Sequence, residues 1–431
     1  MELNLNYVHN ENMGYGRLGV KLAEALIAKG VTVYDHHPGP EHPLTATDIG
    51  IEDRHAGLAN AAVWVSTPPQ ANGWWSTQTP SIFTMWETKH IPEDFRARLH
   101  HFDRVLVPSE QNVELFARYH DDVRLVYLGI DPADWHFVER RPPGAFFDFL
   151  IGGSGARKGT DVAFEAFKAA FPKASPSSPI PRLIMKNPRN EEFAFDGRVT
   201  IVGGKMTAED EQGLYASAHC YLQPSRGEGF GLQPLQALAQ GLPTILTDAH
   251  GHEAFAHLGY GIGTTNAKAA YFLYGDGGDW WEPNLDDLID QMRWVYDNWD
   301  EAADKAKVAA AVVAKDFTWA NTADRFLEHI DCTLPYVGGG EWVTPTEAKF
   351  RIRLKETHIF DIAGRRLRFE AGVDYWDLAD VKRIAFEAGY LDPDCIEDDG
   401  GLLDSQLAEA GIVSAEMPEG DPVLTAWHAG A

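Results

Sequence analysis

Between residues 221 and 246 the pattern of apolar and polar positions changes period twice. An unbroken apolar run ends near Gln223 and a glycine-rich turn surrounds Glu228. Apolar residues then return at helical spacing as Leu232, Leu235, Leu238 and Ala239, before a second apolar run over residues 244–246. This predicts a βαβ unit with a helix over residues 232–240 and a site at its turn. Gly227, Gly229 and Gly231 let the backbone approach a ligand, and Glu228 puts the turn's only carboxylate at the carboxyl end of a strand. Pro234 is tolerated in the first helical turn, and Gly241 suits a left-handed cap. No acid occupies that first turn, so its free amides and positive dipole end suit an anion such as a diphosphate. Gln233, Gln236 and Gln240 form a polar stripe beside the apolar face, and spacing alone fits an ordinary crossover helix with a solvated glutamine edge equally well.

The same strand, loop and helix alternation runs through the preceding chain. A strand over residues 3–8, a loop, a helix over 18–29 and a strand over 32–34 begin a doubly wound α/β domain. Gly14-Tyr15-Gly16 falls short of a dinucleotide fingerprint, and Tyr15 fits a tight turn as well as a ligand site. Strands over 62–65, 81–85, 104–107 and 124–127 bring Ser66, Trp86, Glu87 and Ser109 to the sheet edge where ligands bind. Glu87 is either a cleft carboxylate or the N-terminal charge of a helix beginning near Pro92.

After a linker over 140–144 the pattern restarts with a strand over 146–151, a loop over 152–159 and a helix whose apolar face is Val162, Ala166, Phe167 and Ala170. Arg157 and Lys158, just ahead of that helix, suit a diphosphate; a solvated basic pair is the plain alternative. Lys186, at the end of a strand over 182–185, is a weaker cation candidate. A strand over 199–202 and a helix over 209–216 lead into the 221–246 unit. His250 and His252 lack a third and fourth metal ligand and fit a loop. Helices follow over 285–296, 302–313 and 319–330. From about residue 344 the texture changes to short alternating pieces, including 359–362 and 367–369, then a helix over 378–388 and an acidic end. This is a small α+β appendage whose default roles are partner binding or oligomerisation.

With 431 residues, 44% hydrophobic, the chain is long enough for two or three cores. Its 37 basic and 64 acidic residues leave a net charge of -27, which argues against nucleic acid or anionic membrane as a general partner and makes any phosphate site a local one. Three widely spaced cysteines, no signal-like amino terminus and no apolar run long enough to span a bilayer point to the cytoplasm.

These motifs resemble the retaining, nucleotide-sugar-dependent glycosyltransferases of family four. The most specific piece is Pro224-Ser-x-x-Glu-Gly-Phe-Gly-Leu232 with Ala237-Leu-Ala-x-Gly-x-Pro243, close to the family's Glu-x7-Glu signature. Gly14-Tyr-Gly-Arg17, Thr84-Met-Trp-Glu87, residues 103–109, Gly129-Ile-Asp131, Lys158-Gly159-x-Asp161 and Phe317-x-Trp319 support it. The resemblance covers residues 1–330 and implies a GT-B fold: two Rossmann-like domains facing across a cleft. An acceptor-side domain over 1–142 would receive a final helix (317–331) crossing back, a donor-side domain would cover 143–316, and residues 332–431 would form the appendage.

The resemblance implies that Glu228 and Glu87 orient the donor sugar. The amides of Gly229, Phe230, Gly231 and Leu232, with Arg157 or Lys158, would hold the diphosphate, and Gly14 to Gly16 would approach it from across the cleft. The family's second glutamate, which binds the ribose, falls on Gln236, and Trp86 stands where many members have a histidine that meets the sugar. The family's arginine ahead of the lysine falls near Gly153, leaving Arg157 as its stand-in. The activity implied is transfer of a hexose-like unit from a nucleotide diphosphate sugar to a hydroxyl of a glycan, small molecule or protein, with retention and without cofactor or metal. A non-catalytic sugar-nucleotide or glycan binder, or a GT-B epimerase or phosphorylase, are the alternatives.

Overall fold

The computed structural model describes residues 1–7, 14–35, 51–52, 61–68, 79–100, 102–153, 155–172, 179–186, 197–204, 206–268 and 278–333, with the backbone of 352–353, 358–362, 365–369 and 374–375. It divides into two units, residues 1–71 with 77–337 and residues 338–431 with 72–76.

The first unit is built on two parallel sheets. In the first sheet the elements are β1 (Glu2–Tyr7), α1 (Gly14–Ala28), β2 (Thr32–Asp35), β3 (Ile51–Glu52), β4 (Ala61–Val65), β5 (Thr79–Phe83), α2 (Glu93–Leu99), β6 (Arg104–Val107), α3 (Glu110–Phe116) and β7 (Val123–Leu125). The strand order is β3-β2-β1-β4-β5-β6-β7. The central strands are buried on both faces, which is why they read as continuous apolar runs. Helix α1 turns Leu18, Leu22 and Leu26 inward at every fourth residue. It begins at Gly14, four residues ahead of the predicted start, because a first turn of Gly-Tyr-Gly-Arg carries no apolar periodicity to announce it.

The second sheet contains β8 (Phe146–Ile151), α4 (Thr160–Ala170), β9 (Ile180–Lys186), β10 (Val199–Val202), α5 (Ala208–Ser217), β11 (Cys220–Gln223), α6 (Leu232–Ala239), β12 (Thr244–Thr247) and β13 (Tyr260–Ile262), in the order β10-β9-β8-β11-β12-β13. An antiparallel hairpin, β14 (Thr264–Lys268) with β15 (Asp279–Pro283), precedes α7 (Leu285–Asp297), α8 (Trp299–Asp316) and α9 (Trp319–Leu327). β13 and the hairpin were not foreseen: β13 is Tyr-Gly-Ile, and the hairpin strands mix polar and aromatic residues without clean alternation. Gly241 closes α6 at φ 70°, the predicted left-handed cap.

The predicted linker is pinned. Arg140 donates to the carbonyls of Tyr215, Ala216, Gln240 and Gly241, and burial pulls its pKa down to about 10. The chain then returns to the first sheet: Ile130 and Thr318 form a parallel bridge, α9 packs on α1, and the Glu2 amide donates to the Cys332 carbonyl at 2.8 Å. One apolar core consequently runs from Leu3 and Leu22 through Phe230 and Leu235 to Phe317 and Phe326. Of the second unit, β16 (Ile352–Arg353) pairs with β19 (Asp374–Tyr375), and β17 (His358–Ile362) forms a hairpin with β18 (Arg365–Phe369). The alternating pieces at 359–362 and 367–369 fall in that hairpin; the helix over 378–388 lies outside the described residues.

Candidate functional site

Two chain segments meet where β5 and β11 end. On the first, residues 84–87 leave β5 and are clamped twice. The Tyr15 hydroxyl donates to the Met85 carbonyl and accepts from the Met85 amide, both at 3.0 Å. The buried Asn112 amide accepts from the Trp86 N–H at 2.6 Å and donates to the Trp86 carbonyl at 3.1 Å. Tyr15 and Asn112 therefore set where Glu87 emerges. Ser109 caps α3, and α2 begins six residues beyond Glu87. The Glu87 carboxylate faces Arg157 at 3.9 Å, so it is a cleft carboxylate and not a helix charge.

On the second segment, Arg157 and Lys158 sit in a single 3-10 turn, Ala156–Lys158, bounded by Gly155 and Gly159 at φ 84° and 70°. The turn is sewn to the loop after β11: the Arg226 amide donates to the Arg157 carbonyl at 2.7 Å, and Arg157 Nη1 donates to the Gly227 carbonyl at 2.6 Å. Glu228, 6% exposed, is gripped by Lys158 Nζ at 2.6 Å and Arg157 Nη1 at 3.0 Å. Burial by itself would raise its pKa, but the two cations outweigh burial and hold the carboxyl well below the usual carboxylate range. Among the described residues, the pair expected to wait for a diphosphate is thus satisfied by Glu228.

The glycines serve a different neighbour from the one expected. A Cβ on Gly227 would stand 1.8 Å from the Glu87 carbonyl oxygen, and one on Gly229 2.4 Å from Met85 Sδ. They admit the opposite wall of the cleft, and Gly231, at φ 105°, admits the ring of His252. Phe230, expected at the diphosphate through its amide, turns its ring into the core: it is 2% exposed, with ring centroids of Tyr127, Phe255 and Phe317 within 6.5 Å. Trp86 is likewise buried, its indole N–H donating to Thr88 at 2.7 Å and its ring packing edge-on against Phe95. Lys186 pairs with Glu211.

Helix α6 starts at Leu232 with no acid in its first turn and no side-chain cap. Two of its three stripe glutamines are not solvated: Gln233 is half-buried, but Gln236 and Gln240 are 3% and 2% exposed, and the Gln236 Oε1 atom has no hydrogen-bond partner among the described residues. Gln236 and Leu232, one turn apart, line a cavity of about 290 Å³ between the two sheets, with Arg17, Met206, Glu211 and Trp319 on its other walls. Gly14 and Gly16 lie in the first turn of α1, which also carries Arg17.

The pair His250 and His252 is more than a loop. Both lie in a 3-10 turn after β12, fully buried, with ring centroids 4.5 Å apart. The Thr247 carbonyl, 3.1 Å from His252 Nδ1, fixes the proton on that nitrogen and leaves Nε2 as an acceptor with no partner among the described residues. Burial holds the His252 pKa down to about 4 despite Glu228, and that of His250 well below its usual value. Because an unfolded histidine titrates near 6.5, the unfolded state takes up protons first as pH falls from about 6.5 toward 4. Stability should drop over that window by roughly 1.4 kcal/mol per pH unit per histidine. Urea midpoints at pH 7 and 5.5 should show the drop, and His252→Gln should flatten it. An equal slope in the variant would remove His252 from the account.

Two parallel sheets with a final helix returning to the first define the GT-B fold. Sucrose-phosphate synthase from Thermosynechococcus elongatus shares it with a TM-score of 0.56 at 17% identity, over 76% of this chain and 98% of that one. WaaG, a glycosyltransferase involved in lipopolysaccharide biosynthesis, shares it with a TM-score of 0.51 at 15% identity, over 79% and 100%. The family model for family 4 glycosyltransferases in conflict systems matches residues 111–326, half of the chain, and the chain belongs to that family. Two sequence relatives are each 32% identical. The lipopolysaccharide core biosynthesis mannosyltransferase LpsB of Rhizobium meliloti aligns over 131 residues, 28% of this chain and 33% of LpsB. The putative glycosyltransferase 41 of a Sulfolobus islandicus filamentous virus aligns over 71 residues, 14% and 22%. The chain thus spans a third or less of the length of these two relatives. No helix among the described residues is long and apolar enough to cross a membrane.

Proposed function

We propose that the protein is a retaining glycosyltransferase that moves a hexose-like sugar from a nucleoside diphosphate donor to an acceptor hydroxyl. The observation that carries this is the placement of Glu228 between Lys158 and Arg157, beside the uncapped start of α6. In the proposed reaction the bond from the anomeric carbon to phosphate oxygen breaks and a bond to the acceptor oxygen forms. The acceptor's proton leaves with the nucleoside diphosphate, and the sugar keeps its configuration. Developing charge on the diphosphate is met by the α6 amides and by the two cations, so a divalent ion is not required. Residues 143–316 hold the donor, with the nucleoside in the cavity that Gln236 lines; residues 1–142 and 317–331 face the acceptor, a glycan, small molecule or protein. Residues 332–431 bind a partner or a second copy.

The test is incubation with radiolabelled UDP- and GDP-sugars and mixed acceptors, with and without EDTA. Transfer or slow hydrolysis of at least one donor, insensitive to EDTA, is expected; no turnover and no binding of UDP or GDP would overturn the proposal. One feature favours a second reading, a non-catalytic sugar-nucleotide or glycan binder: an amide at Gln236 accepts more weakly than the carboxylate its relatives in the family place there. That reading predicts binding without turnover for every donor and acceptor tried.

A further inference from the structure

Arg226 falls at a position that the signature leaves open, and nothing in its sequence context singles it out. Its side chain, 9% exposed, nevertheless uses every donor it has. Nη1 and Nη2 meet the two oxygens of Asp161 at 2.8 and 2.9 Å, Nε and Nη2 meet those of Glu282 at 2.6 and 2.7 Å, and Nη1 also reaches the Ala156 carbonyl. All five guanidinium hydrogens are thereby bound, in two fork-to-fork pairs, a geometry that lysine cannot reproduce. The guanidinium also lies over the Trp280 ring at 5.4 Å.

Three segments converge on this one side chain. Asp161 and Ala156 bracket the turn that presents Arg157 and Lys158. Glycines with left-handed dihedrals bound that turn, and its three residues have no side-chain cap, so little within it holds its orientation. Glu282 belongs to β15, whose Trp281 amide donates to the Arg226 carbonyl at 2.9 Å. At the start of that strand, the Asp279 carbonyl accepts from the amide of Lys89, two residues after Glu87, and the Lys89 ammonium lies 5.0 Å over the Trp281 ring. Arg226 itself stands two residues before Glu228. A single guanidinium thus ties together the carriers of Arg157, Lys158 and Glu228, and through the β14–β15 hairpin reaches the segment that carries Glu87.

We propose that Arg226 is a positioning residue, setting the Arg157–Lys158 turn against Glu228 so that both cations converge on one anion; its consequence for donor binding rests on the function proposed above. The experiment uses the full chain with Arg226→Met, Glu282→Gln as a milder variant that removes one fork, and Arg182→Met as a control. Arg182 makes a comparable two-pronged pair with Asp148, at 2.6 and 2.8 Å, in the same sheet and outside the site. In crystal structures, Arg226→Met should move Lys158 or Arg157 beyond 4 Å of the Glu228 carboxylate, and an undisturbed cluster overturns the proposal whether or not a nucleotide binds. In titrations with UDP and GDP, Arg226→Met should bind at least tenfold more weakly and Glu282→Gln by a smaller factor, while Arg182→Met lowers Tm without weakening binding. Equal weakening by Arg182→Met would reduce Arg226 to general stability and overturn the proposal. A displaced turn in a protein whose parent binds neither nucleotide would sink the donor function while leaving the positioning role intact. Should Arg226→Met not fold, Glu282→Gln carries both measurements.

Discussion

Glu228→Gln should abolish transfer while making the protein bind a nucleoside diphosphate more tightly. The two halves of that outcome have different causes. Arg157 and Lys158 contribute two positive charges, and Glu228 and Glu87 balance them with two negative ones inside a closed cluster. An incoming diphosphate must draw the cations away from a buried carboxylate whose attraction, at about 4 Å and an effective dielectric near 20, is on the order of 4 kcal/mol before solvation is counted. A neutral amide of the same shape competes far less, so the cations become available to the ligand. On the proposed function, turnover falls because the donor sugar would lose the carboxylate that orients it; a loss of 100-fold or more corresponds to about 2.7 kcal/mol of transition-state stabilisation. Lys158→Ala is the opposite arm and should weaken UDP or GDP binding by roughly 1.5–3 kcal/mol, the worth of a charge-assisted contact. Calorimetric titration of the two variants decides the matter. Weaker nucleotide binding by Glu228→Gln would mean that the carboxylate does not compete for the cations.

Gly227→Ala should cost both stability and activity. The new methyl would lie 1.8 Å from the Glu87 carbonyl oxygen and 2.9 Å from its carbon, and since both are backbone atoms no rotamer change relieves the overlap. The walls must separate where Arg157 approaches Glu87 at 3.9 Å, so turnover should fall by more than tenfold alongside a stability loss of roughly 1–3 kcal/mol, typical of overpacking. Gly213→Ala is the control: it sits inside α5 with nothing within 4 Å of a built Cβ, and should stabilise by about 0.5–1 kcal/mol. Chemical denaturation and donor turnover, measured on both, test the contrast; an unperturbed Gly227→Ala enzyme would show that the walls do not need this contact.

Much of this site can be read from local pattern. The apolar spacing of Leu235 and Leu238, the acid-free first turn and the glycine-rich turn around Glu228 place α6 and its neighbouring strands to within a residue or so. Arg157 and Lys158 are legible as a cationic turn for the same reason. Their partner is not: Lys158 and Glu228 are 70 residues apart in the chain, and no local spacing encodes that encounter. Trp86 shows the same limit. Its place at a strand end brings it to the sheet edge, yet its ring, like that of Phe230, buries apolar area in an aromatic cluster, which only the packing of distant elements creates.

What the sequence by itself determined is most of the alternation of strands and helices, though not β3, β13 or the β14–β15 hairpin, together with the carboxylate turn at the end of β11, the acid-free start of α6 and, through its motifs, the family. The elements follow from backbone propensity and periodicity within a few residues, and the family from the resemblance of motifs such as Pro224-Ser-x-x-Glu-Gly-Phe-Gly-Leu232. Tertiary structure alone decided that Glu228 already holds both cations, that Gly227 and Gly229 admit the opposite wall of the cleft, that His252 is buried with one nitrogen unpartnered among the described residues, and that Arg226 ties the parts together. Each of these depends on which side chains converge from separate strand ends. That convergence is set by the order of strands within the second sheet and, for Glu87 and Met85, by the approach of the first, which no window of the sequence contains.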